Sequence, residues 1–155
     1  MNFPRFFLVL ASIVLLGLLQ STSLLAVGGV KPNVLLMFLI ALAFFVSDIW
    51  QYSFFILVAG VLLKTQGSFA PELLVFTVLA LLAAWVAGTW HTLPVLNNIV
   101  LAGVATILFH LAVGLSYLVS HPGQLGIELV YNLVISALLF QIFNQCIKTS
   151  SMLRT

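Results

Sequence analysis

Residues 34–64 read VLLMFLIALAFFVSDIWQYSFFILVAGVLLK, and the length of this apolar run against the thickness of a bilayer decides the fold. As one helix it would be about 46 Å long, whereas the hydrocarbon core of a membrane is about 30 Å thick. The polar group Ser47-Asp48-Ile49-Trp50-Gln51-Tyr52-Ser53 divides it into apolar pieces at 34–46 and 54–63, each short for a full crossing. The sequence therefore predicts two short helices meeting at a tight turn around Asp48. Backbone groups left bare in lipid cost several kcal/mol each, so helices this short need neighbours over their ends.

The rest of the chain has the same character. Of its 155 residues, 63% are hydrophobic and 5% charged, against about 25% charged in an average soluble domain. That is too little charge to coat a water-soluble globule, so the bilayer is the expected solvent. The cations Arg5, Lys31, Lys64, Lys148 and Arg154 are scattered and form no patch able to neutralise a run of phosphates, which excludes nucleic acid as a partner. The lone Cys146 supports neither an internal disulfide nor a thiolate metal site.

Working outward, residues 6–27 form an apolar stretch behind Asn2, Pro4 and Arg5; it reads as a first span, or alternatively as a secretory signal. Gly28-Gly29-Val30-Lys31-Pro32-Asn33 breaks the chain before 34. Past Gln66-Gly67-Ser68, Pro71 suits a first helical turn, and a fourth span runs through Trp90. His91-Thr92-Leu93-Pro94 ends it; Asn97 or Asn98 caps a fifth reaching Ser120, and a sixth occupies 125–147. The expected architecture is an all-α membrane protein of about six transmembrane helices. It comprises one polytopic domain over 1–148 and a short polar cytoplasmic tail at 149–155. An even count puts both termini on one side. With Arg5, Lys148 and Arg154 there, against Lys31 and Lys64 opposite, that side is the cytoplasm.

A charge at the bilayer centre costs about 2.5 to 3.5 kcal/mol on the insertion scale, so each ionisable residue at membrane depth is a candidate site. Lys64 and Glu72 fall at helix ends, as solvated boundary charges. Asp48 sits at the turn between the short helices, in a structural or partner-contact role. His110 lies mid-span, either hydrogen-bonded to another helix or serving a proton or substrate path. Glu128, Tyr131 and Asn132 share one face of the sixth helix, and such a polar stripe must face protein or water. Ala80, Ala84 and Gly88 form a small-residue series that lets a neighbouring helix approach. The chain carries no Gly-x-Ser-x-Gly, phosphate-loop or His-Glu-x-x-His motif, and its histidines lack metal-ligand spacing. No catalytic residue, metal or cofactor is expected, and a binding or scaffolding protein is the better reading.

Leu18-Leu19-Gln20-Ser21-Thr22, followed by Gly28-Gly29-Val30-Lys31-Pro32-Asn33-Val34-Leu35-Leu36, resembles the opening of the MreD family of bacterial rod-shape-determining membrane proteins. Tyr131-Asn132-Leu133 with Phe140 is similar to that family's last helix. Asn33 stands where the family often has Asp, and Lys64 where it often has an acidic residue. The resemblance implies a non-enzymatic scaffold of the cell-elongation complex in the bacterial inner membrane. Such a protein works with a bitopic MreC-type protein, RodA, MreB and a class B penicillin-binding protein in lateral peptidoglycan synthesis. It also implies a compact bundle like the substrate-binding subunits of energy-coupling-factor vitamin transporters. Function as such a subunit is the alternative. Gln20, Lys31, Pro32, Asn33, Asp48, His110, Glu128, Tyr131 and Asn132 are the candidate partner or intramembrane contact residues.

Overall fold

The computed structural model describes residues 3–22, 24–26, 29–65, 70–90, 93–114 and 121–152. The expected breaks at Gly28, at 66–68 and at 91–92, the reach of the fifth span over 115–120, and Arg154 lie outside them. The described residues form six helices: α1 (Phe3–Ser21), α2 (Val34–Ala43), α3 (Ile49–Thr65), α4 (Ala70–Thr89), α5 (Pro94–Val113) and α6 (Pro122–Met152). Four of these contain apolar spans long enough to cross a membrane, at Phe3–Ser21, Pro71–Thr89, Pro94–Val113 and Pro122–Cys146. They mark a membrane-embedded, all-helical protein.

α2 is apolar on every face, and all 10 of its residues are buried. A helix hydrophobic all round belongs inside a protein, and α2 touches each of the other five helices. Those five follow one another around it in the order α1, α3, α4, α5, α6, and the ring stays open between α6 and α1, which make no contact among the described residues. At about 15 Å, α2 is half the thickness of a bilayer. Protein rather than lipid covers its ends.

The division of 34–64 into two helices is present, with shifted bounds. Residues 44–48 form the turn, and Asp48 closes it: its Oδ1 accepts from the Trp50 N–H at 3.0 Å and its carbonyl from the Tyr52 N–H at 3.1 Å. Asp48 is thus the N-cap of α3, a role that carboxylate side chains favour, and part of the expected polar break is α3's first turn. Tyr52 is fully buried. Its hydroxyl lies 2.9 Å from the Leu39 carbonyl and 3.2 Å from that of Ala80, joining α2, α3 and α4.

Three further bounds differ from expectation. Pro94 opens α5 behind Leu93, so Asn97 and Asn98 lie inside the helix and Asn98 turns into the core instead of capping. The small residues of α4 packed inside are Ala80, Ala83 and Ala87, whereas Ala84 is half-buried and Gly88 exposed; the Tyr52 contact to Ala80 fixes that rotation. α6 continues to Met152, past the expected start of the polar tail at 149.

Gly17 marks a close approach of α1 to α3, since a Cβ at this position would lie 2.9 Å from Leu62 Cδ1. Gly17→Ala needs only a small shift of that flexible tip, whereas Gly17→Leu must push the helices apart, an overpacking cost of about 1–3 kcal/mol. Thermal unfolding in detergent should show a clear loss for Leu and little for Ala. Equal melting of the two variants would exclude the close α1–α3 contact.

Candidate functional site

The first turn of α2 is held deep in the helical layer. The Asn33 N–H donates to Oδ1 of Asn132 at 3.1 Å, and Asn132 sits about 15 Å along α6 from its start. The unpaired N–H groups of a helix end require acceptors, and three side chains supply them here. Asn33 caps the helix itself, its Oδ1 accepting from the Leu36 N–H at 3.3 Å. Gln20, in the last turn of α1, accepts from the Leu35 N–H through Oε1 at 2.9 Å. Asn132 supplies the third. Pro32, buried just ahead, has no N–H to satisfy.

Asn132 also begins a polar seam between α5 and α6. Its Nδ2 donates to Thr106 Oγ1 at 3.1 Å, and the Thr106 hydroxyl donates to the Ala102 carbonyl at 2.9 Å. Toward one end of the bundle, Asn98 and Ser136 exchange two bonds, Asn98 Nδ2 to the Ser136 carbonyl and Ser136 Oγ to Asn98 Oδ1, each 3.2 Å. Toward the other, His110 Nε2 lies 3.0 Å from Glu128 Oε2. The pairs 98/136, 106/132 and 110/128 follow the antiparallel register of two helices, and all but His110 in them are buried. Beside the seam, Gly103 packs against Leu133.

Five of the candidate residues meet at one place. Gln20, Lys31, Pro32, Asn33 and Glu128 line a cavity of about 200 Å³, together with Glu72, Phe76 and Phe109. Lys31 is exposed, and Glu72, in the first turn of α4 as the sequence suggests, is half-buried and forms part of this wall. His110 does not line the cavity itself but contacts two residues that do, Glu128 and Phe109, and Asn132 is committed to Asn33 and Thr106. Asp48, at the start of α3, and Tyr131, which lines an outward-facing hollow with Gly123 and Ile127, lie apart. Sequence reasoning missed Ser136 and the inward role of Asn98. Their partners lie 38 residues apart, a pairing with no local signal. Among the described residues no three His, Cys, Asp or Glu side chains converge to hold a metal ion.

Fold and site together define an all-helical membrane-embedded protein built around a capped, buried half-length helix. The chain matches no protein-family model, no curated protein and no solved structure.

Replacing Gln20 or Asn132 by Leu strands a buried donor, at a cost of about 1–3 kcal/mol each. Both variants should melt well below the parent protein in detergent, Asn132→Leu the lower because it loses two bonds, while Gln141→Leu on the exposed face of α6 should not change. Parent-like melting of Gln20→Leu would mean that its bond to Leu35 carries no weight.

Proposed function

We propose that the protein is a non-enzymatic scaffold of the bacterial cell-elongation complex, residing in the cytoplasmic membrane and binding the transmembrane helix of an MreC-type partner. The observation that carries this reading is the gap in the helical ring. Between α1 and α6 runs an apolar groove of about 430 Å³, floored by Phe38 and Leu42 of α2 and walled by Leu8 and Ser12 on one side and Leu139 and Ile142 on the other. From Arg5 to Leu16 it extends about 16 Å along α1. In a bilayer, helices associate by close packing and interhelical hydrogen bonds. A groove that lies over a central helix, in the gap of an incomplete ring, is suited to one further helix. Arg5, in the first turn of α1, and Cys146, late in α6, line the same groove, which supports the reading that both termini lie on one side, the cytoplasmic one. RodA, MreB and a class B penicillin-binding protein join through that partner.

The similarity of Gln20, Lys31-Pro32-Asn33 and Tyr131-Asn132 to MreD sequences supports the same assignment. Three of those residues, Gln20, Asn33 and Asn132, hold the buried end of α2, so the motif preserves the floor of the groove. The vitamin-transporter alternative calls for a ligand pocket, typically about 300–1,000 Å³. The cavity that gathers polar side chains is smaller, about 200 Å³, and the hollows of that size, such as the α1–α6 groove, are lined mainly by apolar side chains, which favours the scaffold.

The test is co-expression with an MreC-type protein and affinity capture in mild detergent. Capture is expected to withstand 1 M salt, which screens exposed charges beyond about 3 Å. It should fall about tenfold or more when Ser12→Trp or Ile142→Trp fills the groove, with folded yield unchanged. Capture indifferent to both variants would overturn the groove as the docking site. No capture at all, with no rounding of rod-shaped cells on depletion, would overturn the scaffold.

A further inference from the structure

The groove between α1 and α6 occupies only part of the depth of the bundle. Its walls run from Arg5 to Leu16 on α1 and from Leu139 to Cys146 on α6, and Phe45 and Val46, in the turn after α2, extend the floor laid by Phe38 and Leu42. Along α1 this is about 16 Å, against a hydrocarbon core of about 30 Å.

Past Leu16 and Leu139 the two walls are bridged. Gln20, one turn beyond Leu16, accepts from the Leu35 N–H, and Asn132, about two turns before Leu139, accepts from the Asn33 N–H, so the first turn of α2 is tied to both α1 and α6. Val30 and Pro32, which lead into that turn, are buried. The hollow at that level is the polar cavity, and it shares no lining residue with the groove. A helix seated over Phe38 and Leu42 therefore meets this chain along one half of its crossing, the half at the end where Arg5 and Cys146 lie.

Contact within that half is a matter of shape. Between Arg5 and Leu16 the polar residue among the described lining is Ser12, and its hydroxyl donates to the Leu8 carbonyl at 2.8 Å. Leu8, Leu15 and Ile142 stand exposed at the rims, with Phe38 and Leu42 buried beneath them. Large side chains thus already occupy the rims and the floor. Close approach of another backbone then calls for small side chains on the incoming helix, since helices in lipid associate by packing.

Resting on the docking of a partner helix in this groove, we infer that recognition is confined to the half of that helix beside the ends of this chain. About 11 residues of the partner are read, through small and apolar side chains set against Ser12, Phe38 and Leu42. The other half of the partner helix stands clear of this chain.

The test uses the thiol of Cys146, which is exposed and lines the groove. Single cysteines are placed one at a time along the membrane helix of an otherwise cysteine-free MreC-type partner, co-expressed with the full chain, and disulfides are formed with copper phenanthroline. Crosslinks to Cys146 are expected at the outermost turns of the near half, recurring every three or four residues, and are lost in Cys146→Ser. Adding Leu16→Cys to Cys146→Ser should move them to the middle of the partner helix. In a second measurement each half of the partner helix is exchanged for the matching half of an unrelated single-span helix. Capture in mild detergent should fall about tenfold, or 1.4 kcal/mol, on exchange of the near half, and should be unchanged on exchange of the far half. Crosslinks from Cys146 spread over both halves, or capture lost on exchange of the far half, would overturn this inference and leave the scaffold reading standing. No capture of the unaltered partner would overturn both.

Discussion

A helix that begins inside an apolar layer has backbone donors and no water to receive them, and the arrangement of this protein follows from how α2 meets that constraint. Each unsatisfied group costs several kcal/mol in lipid, comparable to the whole margin of stability of a small domain, about 5–15 kcal/mol. Gln20 from α1, Asn33 from α2 and Asn132 from α6 each supply an acceptor. Meeting the requirement ties the first, second and last helices together at one point, though α1 and α6 make no contact of their own among the described residues.

The other polar groups extend that solution. Asn132 reaches Thr106, and its register along α5 and α6 places Asn98 against Ser136 and His110 against Glu128. Tyr52 performs the corresponding task beside α2, its hydroxyl facing carbonyls of α2 and α4. The polar atoms thereby fix which helix meets which and at what rotation, while Phe38, Phe45, Phe140 and Phe143 fill the space between α2 and α6. A ring held by such specific bonds can stay open on one side without collapsing, and that gap, over Phe38 and Leu42, is where the proposed partner helix docks.

Much of this is legible in the sequence where the physics is local. The run 34–64 is too long for one span and carries a polar interruption, so two short helices follow from length alone. Asp48 is recognisable as the residue of the turn, though its capping of α3 depends on where the helix begins. What is not legible depends on rotation and on distant partners. Ala83 and Ala87 replace Ala84 and Gly88 on the inner face because a hydroxyl from another helix sets the angle of α4. Asn98 near a helix start reads as a cap, and only the position of Pro94 and the presence of Ser136 on α6 turn it inward. Gln20, Asn33 and Asn132 are visible in the sequence as polar residues within or beside apolar runs, yet their shared task of closing one helix end emerges only when α1, α2 and α6 are seen together. Glu72 stands at a helix end as its sequence suggests, but nothing in its neighbourhood in sequence reveals the cavity wall it also joins.

The account rests on the backbone donors of the first turn of α2 being closed by side chains. Residue-resolved amide hydrogen exchange of the protein in nanodiscs tests this directly. The N–H groups of Asn33, Leu35 and Leu36 should exchange as slowly as those in the middle of α5, although a free helix end ordinarily exchanges fast. Rapid exchange at these three positions, with Met37 to Ala43 still protected, would contradict the claim that Gln20, Asn33 and Asn132 close the helix.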